Sequence, residues 1–239
     1  MKNLSVVIPC YNEEKRFSKG MDHFLSYLDR VPYSWELVLV NDGSADNTLK
    51  LMNKAKFKNH NIEVVSYIQN EGKGYALKKG IEKAEGKFIL FSDIDYSVPI
   101  QTIGQFLPYF NKGYEIVIGS RRVKGAQFVR RQNAFREFLG KGFTLLVRLL
   151  VDPKIKDATC GFKVFKKDVA KKVFKKMAIY NWSFDAEILF LCKKYGYKVA
   201  QVPVKWKNDP GTKVSLKRDV ISSLLGILKI QANNLLGKY

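Results

Sequence analysis

Acidic side chains gather where short apolar runs end. Asp93-Ile94-Asp95 follows Lys87–Ser92, Asn41-Asp42-Gly43-Ser44 follows Trp35–Val40, and Pro9-Cys10-Tyr11-Asn12-Glu13 follows Leu4–Ile8. A fourth run, Glu115–Gly119, leads instead into Ser120-Arg121-Arg122. Ligands of open parallel sheets bind outside the carboxyl ends of the strands, so these groups are expected on one rim. Carboxylates gathered without matching bases repel one another and call for a cation. Hard oxygen ligands suit Mg²⁺ or Mn²⁺, bound through one or two carboxylates plus substrate phosphates. In an extended strand Asp93 and Asp95 would point to opposite faces. The chain must therefore turn at Ile94, or one acid ligates while the other holds a ribose or a water. A divalent ion beside Arg121 or Arg122 is equipment for neutralising a leaving diphosphate, as attack on the anomeric carbon of a nucleotide sugar requires.

The nucleophile poses a second question. A phosphate monoester, with a second pKa near roughly 6, is already ionised at neutral pH and needs cations to position it. Arg121, Arg130, Arg131 and Arg136 are candidates. A hydroxyl acceptor would need a carboxylate base, for which Asp185 or Glu187 would serve. Asp185 is expected to face the acceptor, although an acid following Ser183 also suits a helix N-terminus. Lys73 sits between Gly72 and Gly74, but Tyr75 follows and the upstream glycine of a phosphate loop is missing. Glycines that let backbone approach a nucleotide are the better reading.

Through residue 120, apolar runs alternate with amphipathic stretches, the pattern of a parallel sheet wrapped by helices. Phe17, Met21, Phe24, Leu25 and Leu28 predict a helix over 15–28. Ser44 or Asp46 can cap a helix carrying Leu49 and Met52. A strand is expected at Ile62–Tyr67, a helix from the Glu71–Gly74 turn through Ala84, and another from Pro99 to Phe110. Beyond 121 the pattern loosens. A basic stretch runs to Arg136, then an apolar segment Phe138–Val151 and a compact Thr159–Phe165. Helices near 168–177 and 184–195, a strand at Lys198–Trp206, a turn at Asn208–Gly211 and a helix from about Leu216 to Leu236 complete the chain. The fold class is α/β in a single domain over 1–239.

The 239 residues carry 42 Lys+Arg against 22 Asp+Glu, a formal charge of +20. Residues 1–120 hold 15 basic and 14 acidic side chains, and residues 121–239 hold 27 and 8. Such an asymmetry points to nucleic acid, an anionic membrane surface or a phosphorylated substrate. No interleaving of basic and aromatic residues marks a nucleic-acid module, and bare carboxylates would repel phosphates, so nucleic acid is not expected. A basic binding module without catalysis is the competing class. Three scattered cysteines and two histidines suggest neither a disulfide framework nor a zinc site. No signal peptide or spanning helix is expected, which fits a cytoplasmic protein at the inner face of the membrane. Phe138–Val151, interrupted by Lys141 and Arg148, suits a helix lying in the interface. Val220, Ile221, Leu224, Leu225 and Leu228 form a second stripe, fit equally for membrane or core.

Ser5-Val-Val-Ile-Pro-Cys-Tyr-Asn-Glu13, Val40-Asn-Asp-Gly-Ser44, Gly72-Lys-Gly74, Asp93-Ile-Asp95 and Gly119-Ser-Arg121 together resemble family-2 glycosyltransferases. Asp157-Ala-Thr-Cys-Gly-Phe-Lys-Val-Phe165, Trp182-Ser-Phe-Asp-Ala-Glu-Ile-Leu189 and Val202-Pro-Val-Lys-Trp206 resemble the dolichyl-phosphate β-glucosyltransferase branch, close to dolichyl-phosphate mannose synthases. The resemblance implies an A-type, Rossmann-like nucleotide-sugar fold with appended amphipathic interfacial helices. Residues 1–120 would be the nucleotide-sugar half, and 121–239 the acceptor-binding, membrane-facing half. Pro9, Tyr11, Asn12, Glu13, Asp42, Lys73 and Asp93 would meet the nucleotide sugar. Asp93 and Asp95 would hold Mg²⁺ or Mn²⁺, and the acceptor phosphate would lie beside Arg121, Arg130, Arg131 and Arg136, with Asp95, Arg121 and Asp185 as catalytic residues. The implied reaction is inverting transfer of a hexose, glucose favoured, from UDP-glucose to a polyprenyl or dolichyl phosphate, with GDP-mannose the alternative donor. Two departures stand out: Asn41 replaces the first acid of the usual Asp-Asp-Gly-Ser, and Tyr96-Ser97 replace the Gly-Ala that follows the D-x-D in eukaryotic glucosyl enzymes.

Overall fold

The computed structural model describes residues 2–130, 134–209 and 216–239, apart from the side chains at 130, 134–136, 138 and 216–221. The five apolar runs of the first half are strands: β1 (Leu4–Cys10), β2 (Trp35–Asp42), β3 (Ile62–Tyr67), β4 (Phe88–Phe91) and β5 (Ile116–Ser120). β1, β2 and β5 are buried almost throughout. A strand covered by helices on both faces must be apolar on both, so these run as continuous apolar stretches instead of alternating. β1 pairs in parallel with β2 and β4, and β2 with β3. The helices α1 (Glu14–Leu28), α2 (Thr48–Lys58), α3 (Lys73–Lys83) and α4 (Ile103–Asn111) follow β1, β2, β3 and β4 in turn.

Strands from both sides of residue 121 share this sheet. β7 (Lys163–Lys166) enters antiparallel between β4 and β5, and β8 (Val199–Pro203) pairs in parallel with β5, giving the order β3-β2-β1-β4-β7-β5-β8. The stretch expected as one strand at Lys198–Trp206 is two. Pro203 lacks an N–H to continue the ladder, and β9 (Lys205–Lys207) leaves the sheet to pair in parallel with β6 (Gln127–Arg130). The remaining helices are α5 (Ala134–Leu150), α6 (Lys167–Lys176), α7 (Phe184–Lys194) and α8 (Leu216–Leu235).

The core fills both faces of the sheet. On one, α1, α2 and α4 cover Leu4, Val6, Ile8, Leu37 and Leu39; on the other, α3, α5, α6, α7 and α8 cover Val7, Val38, Val40 and Phe91. Phe91 has Phe165, Phe174 and Phe184 at ring-centroid distances of 6.1, 6.2 and 6.3 Å. Each ring buried this way contributes roughly 1.5–3 kcal/mol. The cluster fixes the start of α7 beside the end of β4, where the chemistry is expected.

α5 and α8 pack on each other with Val147, Ile227 and Ile230 inward. Their outer side leaves Leu145, Leu149, Leu225 and Leu228 exposed at 55%, 72%, 60% and 60%. Among the described residues no helix is long and apolar enough to cross a membrane.

Candidate active site

The loops after β1, β2, β4 and β5 open on one edge of the sheet. Asn12, in the left-handed region at φ 51°, locks the first two together. Its N–H donates to Ser44 Oγ at 3.0 Å and its Oδ1 accepts from the Ala45 N–H at 2.8 Å. The Glu13 N–H donates to Thr48 Oγ1 at 2.7 Å, while its carboxylate takes both branches of Arg16 at 2.7 and 2.8 Å. Arg16 reaches on to Asp209 at 3.2 Å. Burial opposes its charge, but Glu13 and Asp209 outweigh it and hold the guanidinium above its ordinary pKa. Tyr11 stands at the rim, and Pro9 lies within β1 opposite Val40.

Asp42 is nearly fully buried and is turned toward the protein. One carboxylate oxygen accepts from Tyr67 Oη at 2.8 Å and the Glu71 N–H at 2.9 Å. The other accepts from Asn70 Nδ2 at 2.8 Å and the Gly72 N–H at 3.1 Å. Its sites are filled, and their effect is to set the loop that presents Lys73. The close backbone approach beside Lys73 is made by the chain itself: the Gly74 N–H donates to the Tyr180 carbonyl at 3.0 Å.

At the end of β4 the chain does turn within the D-x-D. The Tyr96 N–H donates to the Asp93 carbonyl at 3.3 Å, and Tyr96 takes a φ of 57°. Its ring stacks on His23 at 4.2 Å. Asp95 Oδ1 accepts from the Ser97 N–H at 2.9 Å, and burial, then the neighbouring Asp93, push its carboxyl up from the ordinary value. Two glycines make room for this turn. A Cβ at Gly20 in α1 would overlap the Ile94 carbonyl, and one at Gly161 would overlap Asp93 Oδ2. Lys73 Nζ meets Asp93 Oδ1 at 2.5 Å.

Behind this contact the charges alternate. Lys163, fully buried on β7, donates to Asp185 Oδ1 at 2.5 Å and to the Cys160 carbonyl at 2.7 Å. Asp185 is only 4% exposed in the first turn of α7. Burial pushes its carboxyl up against the opposing pull of Lys163 and Lys73. For Lys73, burial opposes the charge, but Asp93 and Asp185 prevail and its pKa is raised. Glu187, two residues further on in the same first turn, accepts from the Ala178 and Ile179 N–H groups at 3.0 and 2.8 Å and from Tyr239 Oη. Neither acid faces open solvent.

After β5, Arg121 forms a two-branched pair with Asp157, Nε and Nη2 each at 2.8 Å, and its own N–H donates to the same carboxylate at 2.8 Å. Nη2 also reaches Thr159 Oγ1 at 2.8 Å, and the guanidinium lies 5.4 Å from the Trp206 ring centroid. Burial alone would raise the Asp157 carboxyl; Arg121 holds it at about 2. Arg122 is half-buried beside this pair. Arg131 lies outside the described residues, as do Pro210 and Gly211 of the expected turn, and Arg130 and Arg136 are placed by backbone alone, in β6 and α5. Burial pushes the Cys160 thiol up to about 11, which removes it as a nucleophile.

Asp93, Asp95, Lys73, Asp185 and Arg121 thus share one side of the rim, while Pro9, Tyr11, Asn12, Glu13 and Asp42 form the other. Sequence reasoning passed over Lys163, Asp157 and Gly161. The signal was available in Asp157-Ala-Thr-Cys-Gly-Phe-Lys163, where an acid and a lysine frame small and apolar residues. Among the described residues no cluster of three or more candidate ligands forms a ready metal site. The two acids of the turn are hard oxygen donors that repel each other, which suits an ion completed by substrate phosphates.

Residues 5–174 match the family model described as glycosyl transferase family 2. Among curated proteins, the chain is 32% identical to a dolichyl-phosphate β-glucosyltransferase of Dictyostelium discoideum, covering 98% of this chain and 75% of that one. A human protein of the same name is 33% identical over 89% of this chain and 70% of its own length. Among solved structures, mannosyl-3-phosphoglycerate synthase from Rubrobacter xylanophilus superposes with a TM-score of 0.69 at 19% identity, covering 99% of this chain and 75% of that one. Glucosyl-3-phosphoglycerate synthase from Mycobacterium tuberculosis, in complex with Mn²⁺, UDP and glucosyl-3-phosphoglycerate, superposes with a TM-score of 0.64 at 19% identity, covering 95% and 80%. These likenesses carry the A-type glycosyltransferase fold.

Proposed function

The chain belongs to glycosyltransferase family 2, and from that premise we propose that it transfers glucose, with inversion, from UDP-glucose to the phosphate of a dolichyl or other polyprenyl phosphate. One observation carries the choice of a phosphate over a hydroxyl acceptor. Both acids that could serve as a base are engaged, Asp185 by Lys163 and Glu187 by two amides and Tyr239. A hydroxyl needs a base within hydrogen-bond reach. A phosphate monoester, with a second pKa near ~6, arrives already ionised. Identities of 31–33% to relatives named dolichyl-phosphate β-glucosyltransferase support the lipid and the sugar.

Asp93 and Asp95 would hold Mg²⁺ or Mn²⁺, whose charge offsets that growing on the departing diphosphate. Pro9, Tyr11, Asn12 and Glu13 supply the nucleoside wall, and Asp42 acts by fixing the loop that aims Lys73 at the diphosphate. Arg121, immobilised by Asp157, is a cation that needs no reorganisation as charge develops. The acceptor phosphate would enter beside Arg121 and Arg122 and the segment bearing Arg130, Arg131 and Arg136. The exposed leucines of α5 and α8, with Lys141 and Arg148 beside them, support peripheral docking on an anionic membrane surface, where such an acceptor resides.

The test is turnover by the purified chain with Mn²⁺, a short-chain polyprenyl phosphate in anionic vesicles, and UDP-glucose or GDP-mannose in separate reactions. A glucosylated lipid from UDP-glucose and co-sedimentation with the vesicles are expected. Product from GDP-mannose alone would overturn the sugar, and product from neither donor would overturn the assignment.

A further inference from the structure

Lys73 occupies the position on Asp93 that a divalent ion needs. The Asp93 side chain is 34% exposed, with its Oδ2 so close to the Gly161 backbone that no Cβ fits there and its Oδ1 held by Lys73 Nζ at 2.5 Å. An ion approaching Oδ1 therefore meets an ammonium already in place. The backbone beneath Lys73 is fixed, since the Gly72 N–H is bound to Asp42 and the Gly74 N–H to the Tyr180 carbonyl. Only the side chain can move. Its ammonium lies 5.8 and 5.9 Å from the ring centroids of Trp182 and Phe184. Asp185, attracting Lys73 electrostatically, sits next to Phe184 and stays anchored on Lys163. Aromatic faces and a buried carboxylate thus surround the ammonium where it stands, and they still favour a cation there once Asp93 lets it go.

We propose that Lys73 is an exchangeable internal counter-ion: it holds Asp93 while the site is empty and hands that carboxylate to the divalent ion as the donor's diphosphate takes up the ammonium. The inference rests on the proposed metal site at Asp93 and Asp95. Its consequence is order. The metal alone competes with Lys73 and binds weakly, the diphosphate draws Lys73 off Asp93, and so each favours the other beyond the contacts they share. A lysine that merely bound the nucleotide would leave the affinity for free metal unchanged.

Manganese affinity, measured by the paramagnetic signal of free Mn²⁺ in the absence of nucleotide, separates the two. Lys73→Met is expected to bind Mn²⁺ about tenfold more tightly than the wild type, within the usual range of coupling between sites. The same variant is expected to bind UDP more weakly when no metal is present. Lys73→Gln must show the same pair of changes, which guards against a collapse peculiar to methionine. In the wild-type chain, adding Mn²⁺ should increase acylation of the Lys73 amine by an amine-directed reagent, read by mass spectrometry, a measurement that needs no variant. Unchanged or weaker Mn²⁺ binding by both variants, or no change in Lys73 acylation, overturns the exchange while leaving the metal site standing. If the wild type binds no Mn²⁺ with or without UDP, the metal site itself fails, and the exchange fails with it.

Discussion

Apart from Glu13, which Arg16 clasps with both branches, the two sides of the rim use carboxylates in opposite ways. On the side of β1 and β2, Asp42 is satisfied by a phenol, a side-chain amide and two backbone N–H groups, all of them neutral donors. On the side of β4, β5 and α7, Asp93, Asp157 and Asp185 are each matched to a cation. Neutral donors shape a loop and are indifferent to the ions around it. Cations hold a carboxylate in competition with any other charge that enters, and they leave a large penalty when one partner is removed. One side of the site is therefore scaffold, and the other is where charge can be exchanged.

The strongest way to break this contrast is Arg121→Met. It strands the fully buried Asp157, and removing one partner of a buried pair costs about 3–5 kcal/mol. Urea unfolding should show that loss; a change under 1 kcal/mol would place the pair with weak surface contacts. Asp95→Asn comes next. It is expected to lower turnover on the order of 10²–10³-fold, as the loss of one preorganised electrostatic contact does, with the melting temperature kept or raised because a repelling charge beside Asp93 is gone. Initial rates and calorimetry on the same preparation check both halves.

A third effect is acid sensitivity. Asp157 is held at about 2 in the fold against an ordinary value of 3.8. A depressed carboxyl contributes stability that is complete above its unfolded pKa and is lost as pH falls through the folded one. That loss lies between about pH 4 and pH 2 and amounts to about 2 kcal/mol. In Arg121→Met this component of the acid transition should vanish. A comparable effect on the scaffold side acts on donor binding. Asp42→Asn turns two of four acceptor sites into donors facing donors, at a cost of about 1–3 kcal/mol, and should raise the KM for the donor more than it lowers kcat. A fall confined to kcat would move Asp42 across to the reacting side.

Much of this was legible in the sequence, for physical reasons that also mark where reading stopped. β1 to β5 show because strands buried on both faces are unbroken apolar runs that end abruptly in polar residues. β7 does not show: Lys163-Val-Phe-Lys166 is short and begins with a lysine whose burial makes sense only beside Asp185, 22 residues away. β6 and β9 pair outside the main sheet, so neither carries the long apolar signature, and the alternation in Lys205-Trp206-Lys207 blends into β8. In the site, side-chain geometry left two readings of the D-x-D, a turn at Ile94 or a single ligating acid, and the chain does turn there. The inward direction of Asp42 did not, because it depends on where four donors from 67–72 come to rest.

The contact between Gly161 and Asp93 has a consequence for how this sequence can vary over time. A side chain at 161 would push aside the very carboxylate proposed to bind the ion, so the glycine and the acid must be inherited as a pair although 68 positions separate them. Lineages that drift at 161 are expected to have given up the acid at 93 as well. The two positions read together therefore distinguish working descendants of this enzyme from relics that keep only its shape.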